Sequence, residues 1–274
     1  MIKIDITKEL HSAYGDITLD INLHIKPTEF VSMIGESGSG KTTFLRALAG
    51  LEESYGTIEV DGEIWQDKNY KLPIQKRGLG FVFQNYALFS NMTVLQNLLF
   101  ASKDKILADK LLSISKLTNL KDKYPHQLSG GQQQRVSLCR AMMNKPKLLL
   151  MDEPLSALDS NIKQSLQDDI LTLHKEFNTT TIMVSHNLQE VYRLSDRMLV
   201  LDKGKISQDK YLQTTKNYIE AKILDIKDID SLNSLVTLQF YDNIITTTIP
   251  KNKASVYKID ELVSIKSFNF DKIL

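Results

Sequence analysis

The chain has 274 residues, 42% of them hydrophobic and 24% charged, which is the composition of a globular protein with room for one large or two smaller domains. Its 34 lysines and arginines nearly balance 33 aspartates and glutamates, so the formal net charge of +1 gives no general basic surface for nucleic acid. The single cysteine, Cys139, excludes an internal disulfide, and its apolar helical surroundings favour a buried thiol over a reactive one.

The first 34 residues alternate apolar and polar positions and end in FVSMI, which predicts strands. The run GESGSGKT follows, and TFLRALAGL then has helical periodicity. GTIEVDGEIW predicts a hairpin with its turn at Asp61–Gly62, and residues 92–122 are mostly helical in pattern. KLLLMDEP predicts a buried strand that stops at Pro154, a helix is expected near Asp159, and TTIMVSH predicts a further strand.

The pattern changes around residues 205–217, where helical periodicity gives way to short runs of period two. Three such runs follow Tyr218, and no helix is expected between them. The sequence therefore predicts an α/β domain at 1–208 and a small all-β domain at 211–274. No stretch reaches the roughly 18 apolar residues of a membrane span, so any membrane crossing is expected to come from another chain.

GESGSGKT matches the phosphate-binding pattern G-x-x-x-x-G-K-[ST] between a predicted strand and a predicted helix. Glycines let backbone N–H groups point at a phosphate chain, the lysine reaches the terminal phosphates, and the first threonine can bind Mg²⁺. The expected ATP-binding residues of this loop are Gly35, Glu36, Ser37, Gly38, Ser39, Gly40, Lys41, Thr42 and Thr43.

Two acidic residues stand at the end of the predicted strand KLLLMDEP. Asp152 is expected to hold Mg²⁺ through water, and Glu153 is placed to polarise an attacking water molecule. Together with the phosphate-binding loop, this pair indicates a nucleotide hydrolase.

The stretch LSGGQQQR at 128–135 is too polar and glycine-rich for a core, yet a helical pattern follows it at once. Ser129 is expected to cap that helix, while Gly130 and Gly131 are expected to leave its N-terminus sterically open. A bare helix N-terminus attracts anions, so this stretch is predicted to be a docking surface for a negative group.

LSGGQ also resembles the signature motif of the ATP-binding cassette (ABC) family. Gln84 in GFVFQNYALF resembles the family's Q-loop, SALD at 156–159 its D-loop, and His186 in VSHNLQEV its switch histidine. Tyr14 resembles the aromatic residue that stacks on adenine, with an ordinary aromatic at a strand edge as the alternative. The resemblance covers residues 1 to about 207 and implies a P-loop ABC cassette, a RecA-like core with a helical subdomain at about 86–147.

The resemblance implies a head-to-tail homodimer with two ATP molecules between the subunits. Ser129, Gly130, Gly131 and Gln132 would then face the γ-phosphate of ATP bound to the partner. Glu153 would be the catalytic base, with Lys41 and His186 also acting on the γ-phosphate. The Mg²⁺ ligands would be Thr42, Gln84 and Asp152. Asp159 is expected at the dimer interface, and it could also cap its own helix.

The resemblance further implies the ATPase subunit of a membrane importer, cytoplasmic and peripheral on the inner face of the cell membrane. Transmembrane permease subunits would dock in a groove near residues 85–100, whose apolar residues could in part be core instead. An extracytoplasmic solute-binding protein would act indirectly, and no nucleic acid is expected. The rival class is a cassette protein of translation or DNA repair, which usually carries two cassettes or a long coiled-coil insertion.

The region from GEIWQD to NMTVLQNL resembles molybdate importer ATPases most closely, and those for sulfate, iron(III) and polyamines more loosely. The tail resembles a small oligomer-binding (OB-like) domain of the molybdate-binding (Mop) or transport-associated (TOBE) type. Such a domain could bind an oxyanion or serve only as a structural spacer at the dimer. The expected solute is molybdate or tungstate, with sulfate, iron(III) or a polyamine as alternatives.

Overall fold

A computed structural model of the chain describes residues 1–12, 15–156, 158–212, 218–240 and 243–266. The chain divides into two compact units, Met1–Leu212 and Gln213–Leu274, each with its own β-sheet.

The first unit is built on a ten-stranded sheet with the order β5-β4-β1-β2-β10-β9-β3-β8-β7-β6. Its strands are β1 Ile2–Ser12, β2 Gly15–Ile25, β3 Phe30–Ile34, β4 Tyr55–Val60, β5 Glu63–Gln66, β6 Leu79–Val82, β7 Leu148–Asp152, β8 Thr180–Val184, β9 Arg197–Asp202 and β10 Lys205–Tyr211. Strands β9, β3, β8, β7 and β6 are parallel to one another, so their carboxyl ends share one edge of the sheet.

Within its described residues this unit has six helices, with the bounds α1 Lys41–Ala49, α2 Val94–Ala101, α3 Lys105–Ile114, α4 Gly130–Met142, α5 Ser160–Phe177 and α6 Leu188–Leu194. Short 3₁₀ turns lie at Ile74–Lys76, Thr118–Leu120 and Pro125–Gln127. Successive residues of the central strands alternate between two cores. Leu148 and Leu150 pack with the α1 side, while Leu149 and Met151 pack with helices α2 to α5.

The predicted hairpin is confirmed, because β4 and β5 pair antiparallel around Asp61 and Gly62. Both turn residues have positive φ, 50° and 83°, as a two-residue turn that follows the strand twist requires. The predicted helical segment 92–122 becomes α2, α3 and a 3₁₀ turn. Its apolar pattern includes Ile106, but that side chain is 85% exposed and contributes nothing to the core.

The second unit contains a four-stranded antiparallel sheet in the order β13-β12-β11-β14. Its elements are β11 Tyr218–Asp228, β12 Asn233–Phe240, β13 Asn243–Pro250, the four-residue helix α7 Lys251–Ala254 and β14 Leu262–Lys266. Its core is small and comes from the predicted period-two positions, with Ala221, Ile223, Val236 and Leu238 at its centre.

No helix in the described parts of the chain combines the length and the apolar character needed to cross a bilayer.

Candidate nucleotide-binding site

The loop between β3 and α1 forms a cradle that ends in a helix N-terminus. Gly38 and Gly40 have positive φ, 82° and 103°, which only glycine adopts without strain. A side chain at Gly35 would overlap the carbonyl oxygen of Leu201, so the first glycine is required by the neighbouring strand β9. Helix α1 begins at Lys41, and its unpaired N–H groups face the cradle, which is a favourable place for an anion.

Lys41 lies under this loop with its ammonium group turned into the cradle. Its Nζ donates hydrogen bonds of 2.7 Å to the carbonyl oxygens of Gly35 and Glu36. Burial lowers the pKa of Lys41, and the nearby carboxylates of Glu153 and Asp152 oppose that shift. The ammonium group is therefore held in place by backbone oxygens before any phosphate arrives.

Thr42 and Asp152 bring two oxygen ligands together at the start of α1 and the end of β7. The Thr42 hydroxyl donates to Oδ1 of Asp152 at 3.0 Å. Burial raises the pKa of Asp152, and the bond from Thr42 lowers it. Hydroxyl and carboxylate oxygens suit Mg²⁺, which usually combines one or two protein ligands with phosphate and water oxygens. The donor set fits such an ion, although the described residues hold no cluster of three or more histidines, cysteines or acids.

Glu153 stands one residue beyond the end of β7 in a left-handed conformation with φ 46°. Its backbone N–H donates to the carbonyl of Val184 at 3.0 Å, and its own carbonyl accepts the hydroxyl of Ser156 at 3.1 Å. A non-glycine residue in this region is strained unless its surroundings hold it there. Here the neighbouring strand and the following turn fix the direction of the side chain.

The carboxylate of Glu153 meets two polar side chains from the ends of β6 and β8. Oε2 accepts a hydrogen bond from Nε2 of Gln84 at 3.3 Å, and Nδ1 of His186 lies 3.4 Å from the same oxygen. The structure thus brings Gln84, Glu153 and His186 together, beside Lys41. His186 is 61% exposed and Glu153 is 25% exposed, so water can reach the group.

An open cleft of about 670 Å³ runs along this edge of the sheet. It is lined by Lys8, Glu9, Leu10, Gly35, Ser37, Gly38, Gly40, Lys41, Thr42, Thr43, Glu153 and His186. Three of these residues, Lys8, Glu9 and Leu10, were not predicted from the sequence. Their position could have been inferred from the apolar–polar alternation of β1, which continues past Ile6 and carries the strand to the phosphate-binding loop. Tyr14 lies outside the described residues.

The stretch 128–135 forms the beginning of α4, and Ser129 caps it as expected. Its hydroxyl accepts the N–H of Gln132 at 3.4 Å, while Oε1 of Gln132 accepts the N–H of Ser129 at 2.9 Å. The expectation that both glycines leave the helix end open is wrong for Gly131. A side chain there would overlap Cγ2 of Ile162, so this glycine permits close packing of α4 on α5.

The signature residues and Asp159 lie away from the cleft of their own chain. Among the described residues that line the cleft, none belongs to 129–132 or to 159. Asp159 occupies the position before α5, and within the described chain its side chain makes no capping hydrogen bond. Ser129 and Asp159 are both exposed.

The chain is similar to known proteins in both sequence and structure. The ABC transporter family model matches residues 18–156, about half of the chain. The chain is 42% identical over 214 residues to the sulfate/thiosulfate import ATP-binding protein CysA of Synechocystis sp., an alignment covering 74% of this chain and 59% of that relative. It is 36% identical over 265 residues to the spermidine/putrescine import ATP-binding protein PotA of Aggregatibacter actinomycetemcomitans, covering 91% of this chain and 70% of the relative.

Among solved structures, the chain resembles the dimeric ATP-binding cassette MJ0796 in a post-hydrolysis state bound to ADP and Pi. The TM-score is 0.67 at 31% identity, and the match covers 78% of this chain and 99% of the other. The chain spans only about three fifths of the CysA relative. The matched region contains the phosphate-binding loop, and the α/β fold is that of a P-loop ABC cassette. The chain belongs to the ABC transporter family.

Proposed function

We propose that this protein is the ATP-binding and ATP-hydrolysing subunit of a membrane importer and that it acts as a homodimer. The observation that carries the proposal is the meeting of Gln84, Glu153 and His186 at the cleft that contains Lys41. A purely structural carboxylate would have no need of an exposed histidine and an exposed glutamine beside a phosphate-type cradle.

ATP would occupy the cleft with its phosphates on the loop Gly35–Thr43 and the N-terminus of α1. Lys41 would exchange one of its backbone carbonyl partners for oxygens of the β- and γ-phosphates. Thr43 would face the α-phosphate. Tyr14, near the end of β1, is proposed to stack on adenine, with Leu10 supplying apolar surface in the same cleft.

Mg²⁺ would be held by Thr42, by Asp152 through water and by Gln84. The ion would supply charge neutralisation for the β- and γ-phosphate oxygens. The ion would take Oε1 of Gln84, while Nε2 of the same amide remains free to donate to Glu153, because the acceptor and donor atoms of an amide are separate.

In the hydrolytic step, Glu153 would accept a proton from the attacking water as the water oxygen bonds to the γ-phosphorus. The bond from that phosphorus to the bridging oxygen breaks, and ADP and inorganic phosphate leave. His186 would contact the γ-phosphate and keep the attacking water in line, and Lys41 would stabilise charge on the phosphate oxygens. General base assistance of this kind contributes about 10²- to 10⁴-fold to a rate.

The site would be completed by a second copy of the chain. Ser129, Gly130, Gly131 and Gln132 lie outside the cleft of their own chain, and Ser129 is exposed at a helix N-terminus. Two copies arranged head to tail would place this helix end at the partner's γ-phosphate. The match to a dimeric ABC cassette supports this arrangement. Asp159 would lie at the same interface.

The permease would dock on the surface formed around α2. Phe89 and Phe100 are exposed, and their ring centroids lie 4.5 Å apart, while Val94 and Leu98 of the same segment are fully buried. Of the ten apolar residues at 85–100, only Ala87, Phe89 and Phe100 are exposed, and these three would be available for a partner helix. The helical subdomain at about 86–147 would carry this surface.

The reported relatives are named for sulfate/thiosulfate and spermidine/putrescine import, and neither name mentions molybdate. The molybdate interpretation therefore depends on the sequence likeness alone, and sulfate or a polyamine is an equal candidate. The domain predicted at 211–274, which corresponds to the second unit Gln213–Leu274, would be an OB-like or TOBE-type domain that either binds an oxyanion or stabilises the dimer. Its four described strands provide the sheet for such a domain.

The first test is steady-state ATP hydrolysis by the full chain with and without Mg²⁺, with Lys41→Ala as the inactive control. Hydrolysis that depends on Mg²⁺ and on Lys41 supports the proposal, and its absence from the wild type at high protein concentration contradicts it. In a reconstituted complex with permease and receptor, a panel of molybdate, sulfate, iron(III) and spermidine identifies the solute. Stimulation by molybdate alone supports molybdate as the transported solute, and stimulation by another solute contradicts that assignment.

A further inference from the structure

Two ion pairs join helices α5 and α6, and only one of them reaches the loop that carries His186. Nζ of Lys163 on α5 lies 3.7 Å from Oε1 of Glu190 on α6. One turn further along α6, Nη2 of Arg193 donates to Oδ1 of Asp168 at 2.9 Å. The second pair is more exposed, and within the described chain neither of its members bonds to the histidine loop, so it provides an internal comparison for the first.

Glu190 is a buried carboxylate whose second oxygen is also engaged. Its side chain is only 6% exposed. Oε2 accepts the hydroxyl of Ser185 at 2.6 Å, and the same hydroxyl oxygen accepts the N–H of Asn187 at 3.0 Å. Ser185 and Asn187 are the two neighbours of His186, so Glu190 secures the backbone on both sides of the histidine. Glu190 therefore connects α5 to the histidine loop through two bonds of one buried carboxylate. Lys163, Glu190 and Ser185 are called the junction below.

Lys163 connects this junction to the segment that precedes α5. Lys163 lies in the first turn of that helix, and its backbone N–H donates to the carbonyl of Asp159 at 2.9 Å. Any displacement of Asp159 therefore moves the residue whose ammonium group faces Glu190. The path from Asp159 to His186 passes through Lys163, Glu190 and Ser185, and each step is a contact in the described chain.

We propose that Glu190 is a positioning residue for His186 and that Lys163 couples it to the segment at Asp159. This inference depends on the proposed function, in which Asp159 meets the partner subunit and His186 contacts the γ-phosphate. Closure of the dimer would then be transmitted to the histidine through one ion pair between the partly exposed Lys163 and the buried Glu190. Glu190 touches neither nucleotide nor water in this proposal.

The test compares full-length variants in steady-state ATP hydrolysis, with thermal unfolding measured on each. Glu190→Ala should lower kcat by about tenfold or more while KM for ATP changes by less than about threefold, because His186 is misplaced and the phosphate-binding loop is untouched. Lys163→Met should lower kcat in the same direction, and Lys163→Arg should restore it. The double variant Lys163→Met/Glu190→Gln should lose no more activity than Glu190→Gln alone, because the two residues act through one contact.

Arg193→Met is the matched control, since it breaks the other pair between the same two helices. It should keep kcat within about twofold of wild type. Equal losses of kcat in Arg193→Met and Lys163→Met would show general loosening of the two helices and overturn the inference. Normal kcat in Lys163→Met would also overturn it. If Glu190→Ala does not fold, the partly exposed Lys163 variants decide the question alone.

Failure of the proposed function and failure of this inference give different results. A wild-type chain without ATPase activity would remove the proposed function and this inference together. An active wild type whose Lys163 and Glu190 variants remain fully active would remove only the role of the junction.

Discussion

Nδ1 of His186 lies 3.4 Å from Oε2 of Glu153, although 33 positions separate the two residues along the chain. Each stands just beyond the carboxyl end of its own strand, β7 for Glu153 and β8 for His186. Parallel pairing of these neighbouring strands places their ends at one edge of the sheet. The contact is therefore a consequence of the topology, and it directs one carboxylate oxygen toward the cleft.

Gly131→Ala tests the packing of α4 on α5. The added Cβ would overlap Cγ2 of Ile162, and overpacking of this kind costs about 1–3 kcal/mol of unfolding free energy. We expect a lower midpoint in chemical denaturation. Gly130→Ala should cost less, because the nearest atom to its Cβ is the hydroxyl of Tyr86 at 3.2 Å, the end of a movable side chain. Gly131→Ala combined with Ile162→Ala should recover part of the loss, and no recovery would contradict the proposed overlap.

Two substitutions of Ser129 separate its role as a helix cap from its proposed contact across the dimer. Ser129→Ala removes the bond to the N–H of Gln132 and should cost about 1 kcal/mol of unfolding free energy. Ser129→Arg removes the same bond and adds bulk and charge at an exposed helix end, so it should also block dimer closure and ATPase turnover. Size-exclusion chromatography with ATP, together with ATPase assays, separates the two effects. Normal turnover in Ser129→Arg would contradict a site shared across the interface.

Arg140 holds the loop that follows Gln84. Its guanidinium donates to the carbonyl oxygens of Ala87 at 2.8 Å and Tyr86 at 3.3 Å, and both of those residues have positive φ. Burial lowers the pKa of Arg140, which nonetheless remains charged at neutral pH. Arg140→Met removes two hydrogen bonds to a strained turn, one of them exposed to water, and should lower the unfolding free energy by about 1–2 kcal/mol.

The control for Arg140 is Lys3→Met, which breaks a part-exposed pair with Glu59 at 3.1 Å. Pairs of that kind contribute about 0–1 kcal/mol, so a small change is expected. Urea denaturation of both variants provides the comparison. A loss in Arg140→Met no larger than that in Lys3→Met would show that the loop does not depend on the arginine.

Short-range patterns in the sequence predicted the strands, the hairpin at Asp61–Gly62 and the cap at Ser129, because each depends on neighbouring residues. They failed at positions whose surroundings depend on packing between elements that are distant in the sequence. Gly131 faces Ile162, which no local pattern indicates. Ile106 follows the helical apolar pattern but lies on the outer face of α3, since that pattern does not fix which turn of a short helix meets the core.

In the candidate site, too, some residues could be predicted from the sequence and others could not. The phosphate-binding loop and the two acids at the end of β7 are contiguous motifs, so their positions could be predicted from the sequence. The junction of Lys163, Glu190 and Ser185 was missed, because its members come from α5, α6 and the loop after β8 and meet only in the folded chain. The expected adenine contact of Tyr14 lies outside the described residues and stays a prediction.

Cys139 should be inert in the native protein. Burial raises the pKa of its thiol to about 12, and Sγ donates to the hydroxyl of Ser115 at 3.1 Å. At pH 8 about one thiol in 10,000 would be ionised, and the sulfur is fully covered. We expect no reaction with a thiol-specific chromogenic reagent until denaturant is added, and then one equivalent. Cys introduced at exposed Ser90 should react at once, and rapid labelling of wild type would contradict the buried position.

The most direct test of the central claim is Glu153→Gln, measured for ATP binding, dimer formation and turnover in one series with wild type. The amide keeps the size of the side chain but cannot accept a proton from water. We expect ATP to bind with unchanged affinity, the dimer to persist with ATP, and turnover to fall by about 10²-fold or more. Turnover within about tenfold of wild type would show that Glu153 is not the catalytic base.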